Sequence, residues 1–333
     1  MNRAAVIAGV GGHVPARVVT NDELATRFDT SDAWIRSRTG IARRHVIDAG
    51  VTTSDLAAEA GRRALKNAGE DAADLVIVAT TSPDRPCPAT APTVAAKIGL
   101  GEVPAYDVAA VCSGFLYGLQ AGAGAVLAGY ARRVLVIGAE AFSTLLSPTD
   151  RTTAVIFGDG AGAVLLRPGR ADEPGAVHDI HLASDGTMAD LITVRGGGAE
   201  ERAGGGTPRE EHRYFQMEGK SVFHAAVRRM TQSSRTTLAR TGWELEQVDR
   251  LVGHQANTRI LHAVAEQLGL PPERAVINID RVGNTSAASI PLALADGMER
   301  GELRTGDRVL LTAFGGGATW GSATVTWPDL PVS

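Results

Sequence analysis

Four short apolar runs punctuate the chain: Leu75–Ala79, Arg133–Gly138, Leu251–Gly253 and Arg308–Thr312. Each is rich in Val, Ile and Leu and shows no polar alternation. Such runs predict strands buried on both faces, as in parallel sheets covered by helices. Segments of helical length lie between them, so the pattern predicts an α/β fold.

The runs also repeat. A helix, a glycine and an acidic stretch lead into Asp74-Leu75-Val76-Ile77, and the same order leads into Asp249-Arg250-Leu251-Val252. Arg133-Val134-Leu135-Val136 likewise matches Arg308-Val309-Leu310-Leu311. The offset is 175 positions in both cases (249 − 74 and 308 − 133). Ala/Gly/Leu-rich helical segments, Ser113–Ala128 and Ala288–Met298, precede the second strand of each pair. Glycine-rich turns, from Phe157 and from Phe314, close each half. Two coincident offsets indicate an internal duplication, with halves at 1–170 and 171–333. The segment Val194–Arg213 is polar, glycine-rich and aperiodic, and reads as a mobile surface loop.

Composition narrows the function classes. The 333 residues are 44% hydrophobic, enough for a sizeable core. A net charge of −4 carries no electrostatic signature of nucleic-acid binding. The two cysteines, Cys87 and Cys112, form neither a metal spacing nor a disulfide framework. A reducing, cytoplasmic setting fits them. The opening MNRAAVIAGVGG has too short an apolar run for a signal peptide. The longest apolar stretches fall short of the ~18 residues that a membrane span needs.

Candidate chemistry centres on Cys112. In DVAAVCSGFLYGL an apolar run ends at the cysteine and a small-residue helix begins. That helix carries no charged residue through Ala128, so it is expected to be central and buried all round. A cysteine at its N-terminus would sit at the positive end of the helix dipole, which favours the nucleophilic thiolate. The alternative is an inert core cysteine, the common case for a free Cys. His254 follows a predicted strand directly, where α/β folds place ligand-facing residues; the ordinary alternative is a satisfied structural histidine. Asn284 opens the helix of the second half that corresponds to the Cys112 helix, although an N-cap asparagine there would be unexceptional. The offset maps Cys112 onto Ala287, which sets Asn284 across the duplication from the cysteine.

These residues resemble the β-ketoacyl-acyl carrier protein synthase III group of ketosynthases over nearly the whole chain. The matching motifs are SDAWIRSRTGI from Ser31, DVAAVCSGF around Cys112, FGDGAGAVLL from Phe157, GHQAN around His254, GNTSAAS around Asn284 and FGGGATWGSA from Phe314. The resemblance implies a thiolase-like fold: two α/β halves in a five-layered α-β-α-β-α arrangement, usually a homodimer. It implies Cys112 as the acyl-accepting nucleophile, and His254 and Asn284 as donors to the malonyl thioester oxygen during decarboxylation. The N–H groups of Cys112 and Gly316 match the family's oxyanion hole. Trp34 and Arg151 resemble the pair that sandwiches the adenine of coenzyme A. Arg38, Thr39, Gly219 and Asn257 resemble its other contacts. The substrates implied are acyl-CoA and malonyl-acyl carrier protein, with no metal or redox cofactor.

Two departures bear on specificity. Cys87 stands where well-known members carry a bulky Phe at the end of the acyl channel, and Phe142 and Phe157 are expected to line the same pocket. A smaller side chain there predicts a primer larger than acetyl. The helix after His254, where the family presents cations to its acidic carrier, keeps Arg259 but has Glu266 and Gln267 where lysines are frequent. His224 likewise stands where a base is common, and Arg228 and Arg229 are candidate replacements. Three other readings compete. One is an acyltransferase that passes the Cys112 acyl group to an alcohol or amine. Another is a silent partner subunit, against which the retained Cys, His and Asn argue. The third is a dinucleotide-binding dehydrogenase, but Gly9-Val10-Gly11-Gly12 and Gly158-Asp159-Gly160 lack the full G-x-G-x-x-G context.

Overall fold

The computed structural model describes residues 2–205, Thr207 and 209–332. Nine strands form one hydrogen-bonded sheet: β1 (Arg3–His13), β2 (Leu75–Ala79), β3 (Ala105–Val108), β4 (Val134–Glu140), β5 (Gly160–Arg170), β6 (Ala176–Ser184), β7 (Arg250–Gly253), β8 (Arg308–Gly315) and β9 (Thr319–Thr326). Their spatial order is β7-β8-β9-β6-β1-β5-β4-β2-β3. The helices that cover them are α1 (Thr53–Asn67), α2 (Ala91–Ile98), α3 (Gly114–Ala128), α4 (Gly219–Thr241), α5 (Thr258–Leu268) and α6 (Ser289–Glu299).

The four apolar runs become the two parallel pairs. Leu75 pairs with Val134 and, 175 positions on, Arg250 pairs with Val309, so the register itself repeats. All residues of β2 and β4 are buried, which is why neither strand alternates with polar positions. β3 adds a third parallel ladder on the outer side of β2, and the remaining ladders of this sheet are antiparallel, so the sheet is mixed rather than purely parallel. Only two residue pairs, Ala5–Val177 and Val6–Ala176, join the halves along β1 and β6. β5 ends at Arg170 and β6 begins at Ala176.

Five layers follow from the packing. α1 and α2 lie outside the first half, and α4 and α5 outside the second. Between the half-sheets, α3 and α6 each touch strands of both halves. An 18-residue window over α3, Val111–Ala128, is long and apolar enough to cross a membrane. Its apolarity has a different origin here, because α3 is the central layer. It is not buried all round, however: Gln120, Gly124 and Leu127 reach the surface toward its C-terminal end.

The segment Val194–Arg213 holds more structure than its composition suggested. A helical turn spans Ala199–Ala203 and a 3₁₀ turn spans Glu210–Arg213. The strands Ile192–Thr193 and Gln216–Met217 pair across its base. Gly206 and Pro208 lie outside the described residues.

Candidate active site

The site is built from two copies of one turn. Val111 and Ser286, related by the same offset, both hold positive φ, 45° and 47°. This left-handed region is costly for side chains with a Cβ, most of all for a β-branched valine. Each residue opens a 3₁₀ turn, Val111–Ser113 and Ser286–Ala288, and each turn runs directly into a central helix, α3 or α6. The two turns pack on each other. Two glycines make this possible. A Cβ on Gly138 of β4 would come within 2.2 Å of the Ala287 carbonyl oxygen, and one on Gly315 within 2.7 Å of the Cys112 amide nitrogen. Thr319 Oγ1 and Ser113 Oγ then lace the first turn to β9.

Cys112 is buried where the turns meet, its Sγ 3.6 Å from the hydroxyl oxygen of Ser286. Burial pushes its thiol up to about 12, with the Ser286 hydroxyl acting in the other direction and Glu140 adding to the rise. The dipole expectation is therefore corrected: the resting group is a thiol, because loss of solvent outweighs the helix end. α3 itself begins two residues later, at Gly114.

His254 follows β7 directly. Its N–H donates to the Thr312 carbonyl at 2.8 Å, and its Nδ1 lies 2.6 Å from Ser289 Oγ, the first residue of α6. Complete burial drives the imidazole down to about 3, so it is neutral at any working pH. Asn284 accepts the Ser286 N–H on Oδ1 at 2.9 Å, and its backbone is tied to Ile156 and Gly158. The side-chain amide nitrogen is left free of hydrogen bonds among the described residues. A neutral imidazole and a neutral amide are thus fixed by their inner atoms, leaving their outer nitrogens for a ligand. The N–H groups of Cys112 and Gly316 are likewise not spent elsewhere in the described hydrogen bonds. Gly316 is buried against Ile192.

Phe142 and Phe157 stack with centroids 4.2 Å apart, and Phe215 meets both edge-on at 5.1 and 5.0 Å. All three rings are buried. Cys87 does not join them within the chain. It is exposed, on the loop between β2 and α2, so the sequence-based placement is corrected for a single chain.

The Arg151 guanidinium lies 5.1 Å from the Trp34 ring centre and donates to the Asp29 carbonyl. Asn257 caps α5 through Oδ1 and donates to the Arg38 carbonyl, and Thr258 donates to the Thr39 carbonyl. Arg38, Thr39 and Asn257 therefore come together. Thr39 is buried with its hydroxyl spent on Ile35 and Ile41, so it offers no side-chain contact. Gly219 stands exposed at the start of α4, tied to none of these by a described hydrogen bond. Arg228 and Arg259 are exposed and free of ion pairs among the described residues. Arg229 does not belong with them. Half-buried, it lies 4.5 Å from the Trp320 ring centre and near Asp185, so its charge is used internally.

Four residues of the site escaped the sequence reading: Glu140, Phe215, Ser286 and Ser289. Ser286 and Ser289 lie inside the GNTSAAS motif, and the offset maps them onto Val111 and Gly114 at the cysteine turn. Glu140 had a signal too, an acidic residue closing an otherwise apolar strand. Phe215 had none.

Known proteins resemble this chain along its whole length. Residues 106–186 match the family model of 3-oxoacyl-[acyl-carrier-protein (ACP)] synthase III, and residues 238–327 match the model of its C-terminal part. β-Ketoacyl-[acyl-carrier-protein] synthase III 5 of Streptomyces coelicolor is 59% identical over 330 residues, covering 99% of both chains. The Pseudomonas aeruginosa enzyme of that name is 50% identical over 331 residues, covering 99% of this chain and 98% of its own. The crystal structure of 3-oxoacyl-(acyl carrier protein) synthase III from P. aeruginosa PAO1 superposes with a TM-score of 0.92 at 48% identity, covering 98% of this chain and 99% of that one. The priming β-ketosynthase from the R1128 polyketide biosynthetic pathway gives 0.92 at 30% identity, covering 99% and 98%. A duplicated thiolase-type fold, a buried cysteine on a strained turn and a neutral His–Asn pair beside it therefore have one common source: this chain belongs to the β-ketoacyl-[acyl-carrier-protein] synthase III family.

Proposed function

We propose that the enzyme loads an acyl group from acyl-CoA onto Cys112 and condenses it, with loss of CO₂, with malonyl-acyl carrier protein. The product would start a fatty-acid or polyketide chain. The observation that carries this reading is the neutrality of His254 beside Asn284. Decarboxylation of a malonyl thioester develops an enolate oxygen, and neutral donors fixed in a dry site stabilise it without reorganisation. A Ser289 hydroxyl that donates to Nδ1 keeps the ring proton on Nε2, the outward nitrogen. The free amide of Asn284 supplies the second donor. In the first half-reaction, the Cys112 and Gly316 N–H groups serve the tetrahedral oxyanion while coenzyme A thiol departs.

The purine of coenzyme A is assigned to the Trp34–Arg151 pair, which would part to admit it. Arg38 and Asn257, joined by a hydrogen bond, are assigned to its other contacts, as is Gly219 at the exposed start of α4. Arg228 and Arg259 are the cations offered to an acidic carrier. The free edge of β3, with Tyr106 exposed, supports a homodimer across that edge. Asp107 of β3 anchors the start of α2 through Thr90 and Ala91, so the Cys87 loop lies beside the same edge. Cys87 of a second copy would then be the group that limits the acyl pocket, and its small size supports a primer longer than acetyl. We place the enzyme in the cytoplasm.

The test is intact-protein mass after incubation with a panel of acyl-CoAs, alongside Cys112→Ala, followed by CO₂ release on adding malonyl-acyl carrier protein. An adduct on the native protein alone, discharged with CO₂ release, supports the reading. An adduct that malonyl-acyl carrier protein does not discharge points instead to transfer to an alcohol or amine.

A further inference from the structure

Arg44 is 1% exposed, and no carboxylate pairs with it among the described residues. Its guanidinium donates from Nη1 to the Val19 carbonyl at 3.2 Å and to Asn21 Oδ1 at 2.9 Å, and from Nη2 to the Val155 carbonyl at 2.7 Å. All three acceptors are neutral. A guanidinium carries five N–H groups, so two are unspent among the described residues: the Nε–H, which has no partner, and one on Nη2. Burial pulls the group down to about 10, with the Glu23 carboxylate acting in the other direction. A buried cation without a counter-charge is costly, and an anion beside it lowers that cost.

Arg44 reaches the wall of a cavity of about 280 Å³. Two more arginines, Arg17 and Arg27, line the same cavity, and among the described residues no Asp or Glu does. Both are exposed. Arg27 forms no ion pair among the described residues; its guanidinium lies 5.4 Å from the Phe28 ring centre. Arg17 is 3.3 Å from Glu23, but both side chains are exposed, so water screens that pair. Asp159 stands behind the wall with its carboxylate spent on the Ile47 N–H and on the N–H and hydroxyl of Ser143. The cavity thus gathers three positive charges that no lining carboxylate offsets. Leu146 and Phe157 give it an apolar side. Apart from Phe157, none of the residues assigned above to Cys112 chemistry or to coenzyme A lines it.

We propose that this cavity binds a phosphate group, as inorganic phosphate or as a phosphate monoester, with Arg17 and Arg27 as its contacts and Arg44 as the fixed charge in the wall. Guanidinium forks match phosphate oxygens two at a time, and a dianion answers several cations better than chloride or a carboxylate does. The apolar side would pack the organic part of a monoester. Binding here needs none of the ketosynthase chemistry. Its consequence for the enzyme follows from position. The cavity is walled on one side by Arg17 and Arg27 and on another by Ser143, Leu146 and Ser147. The latter three follow Phe142 in the chain and lead toward the short helix that opens at Arg151. A bound phosphate would therefore tie the N-terminal segment to the stretch that joins the aromatic cluster to the Trp34–Arg151 pair.

The test measures binding of inorganic phosphate and of phenyl phosphate by calorimetry, and the melting temperature in each, with sodium chloride at equal ionic strength as the control. Arg17→Gln and Arg27→Gln remove exposed cations and leave the core intact; Arg44 is kept, because replacing it also removes three buried hydrogen bonds. Phosphate should raise the melting temperature of the native protein where chloride does not. Each variant should weaken phosphate binding about tenfold, the worth of one charge-assisted contact, and Trp34→Ala should leave it unchanged. Tighter binding of phenyl phosphate would assign the cavity to monoesters, and weaker binding to the free ion. Melting no higher in phosphate than in chloride overturns the proposal. So does affinity within about twofold of native in both arginine variants, or phosphate binding that is lost in Trp34→Ala and so belongs to the adenine pair. A protein that accepts no acyl-CoA but shows the expected phosphate pattern would end the ketosynthase reading and leave this site standing.

Discussion

Nδ1 of His254 lies 2.6 Å from the hydroxyl oxygen of Ser289, so the first residue of the second central helix holds the imidazole's orientation. Replacing Ser289 by Ala removes that lock while leaving the helix start intact. Malonyl decarboxylation should fall about ten- to hundredfold, the usual range for losing an outer partner of a functional histidine. Nitrogen NMR of the His254 ring should show a mixture of tautomers in place of one. A single unchanged tautomer with full activity would contradict the assignment.

Removing either enolate donor should separate the two half-reactions. His254→Ala and Asn284→Ala are each expected to slow CO₂ release about 10²–10³-fold. Acylation of Cys112 should fall far less, because neither residue belongs to the oxyanion hole assigned to the first half-reaction. Mass spectrometry of the acyl-enzyme beside a CO₂ assay reads both.

His254 also makes stability depend on pH. Its imidazole titrates near 6.5 when free and near 3 in the folded protein. Between those values the unfolded chain binds more protons, so His254 contributes stability above about pH 6.5 that is lost as pH falls toward 3. The effect is on the order of a few kcal/mol. The urea midpoint of the native protein should drop more steeply from pH 6.5 to 4 than that of His254→Gln, and decarboxylation should show no inflection near pH 6.5.

The Trp34–Arg151 pair is expected to govern affinity rather than chemistry. Trp34→Ala or Arg151→Ala should raise KM for acyl-CoA about five- to thirtyfold, the worth of a stacked cation–aromatic contact. The value of kcat should stay within about twofold, the pattern of lost uniform binding. A fall in kcat at constant KM would remove adenine recognition from these residues.

Phe142 carries both packing and selectivity. Phe142→Ala empties one ring of a three-ring cluster and should cost about 3–5 kcal/mol by chemical denaturation. The space opened should shift the preferred acyl-CoA toward longer or branched chains. An unchanged chain-length profile would place selectivity elsewhere, with Cys87 of a second copy the next candidate.

The sequence by itself determined the α/β class and the duplication with its 175-residue offset, and it singled out Cys112, His254 and Asn284 as candidates. These features are carried by short contiguous patterns: apolar runs of strand length, a cysteine at a strand–helix junction, and glycine-rich turns. Tertiary structure alone decided the protonation states. The N-terminus of a helix argued for a thiolate at Cys112, yet packing two halves over the turn excludes water and leaves a thiol. Exclusion of solvent is a property of everything that surrounds a group, so no local pattern encodes it. The same holds for groups brought together from distant positions. Ser286 reaches Cys112 across 174 residues, and Phe215 completes a cluster with Phe142 and Phe157 from a segment whose sequence gives no sign of it. Arg229 and Cys87 show the converse. Their positions in the family resemblance suggested a carrier contact and a pocket wall, but the fold turns one against Trp320 and leaves the other exposed on the chain's surface. Where a side chain points is settled by packing between elements, which residue type and spacing along one strand of sequence do not specify.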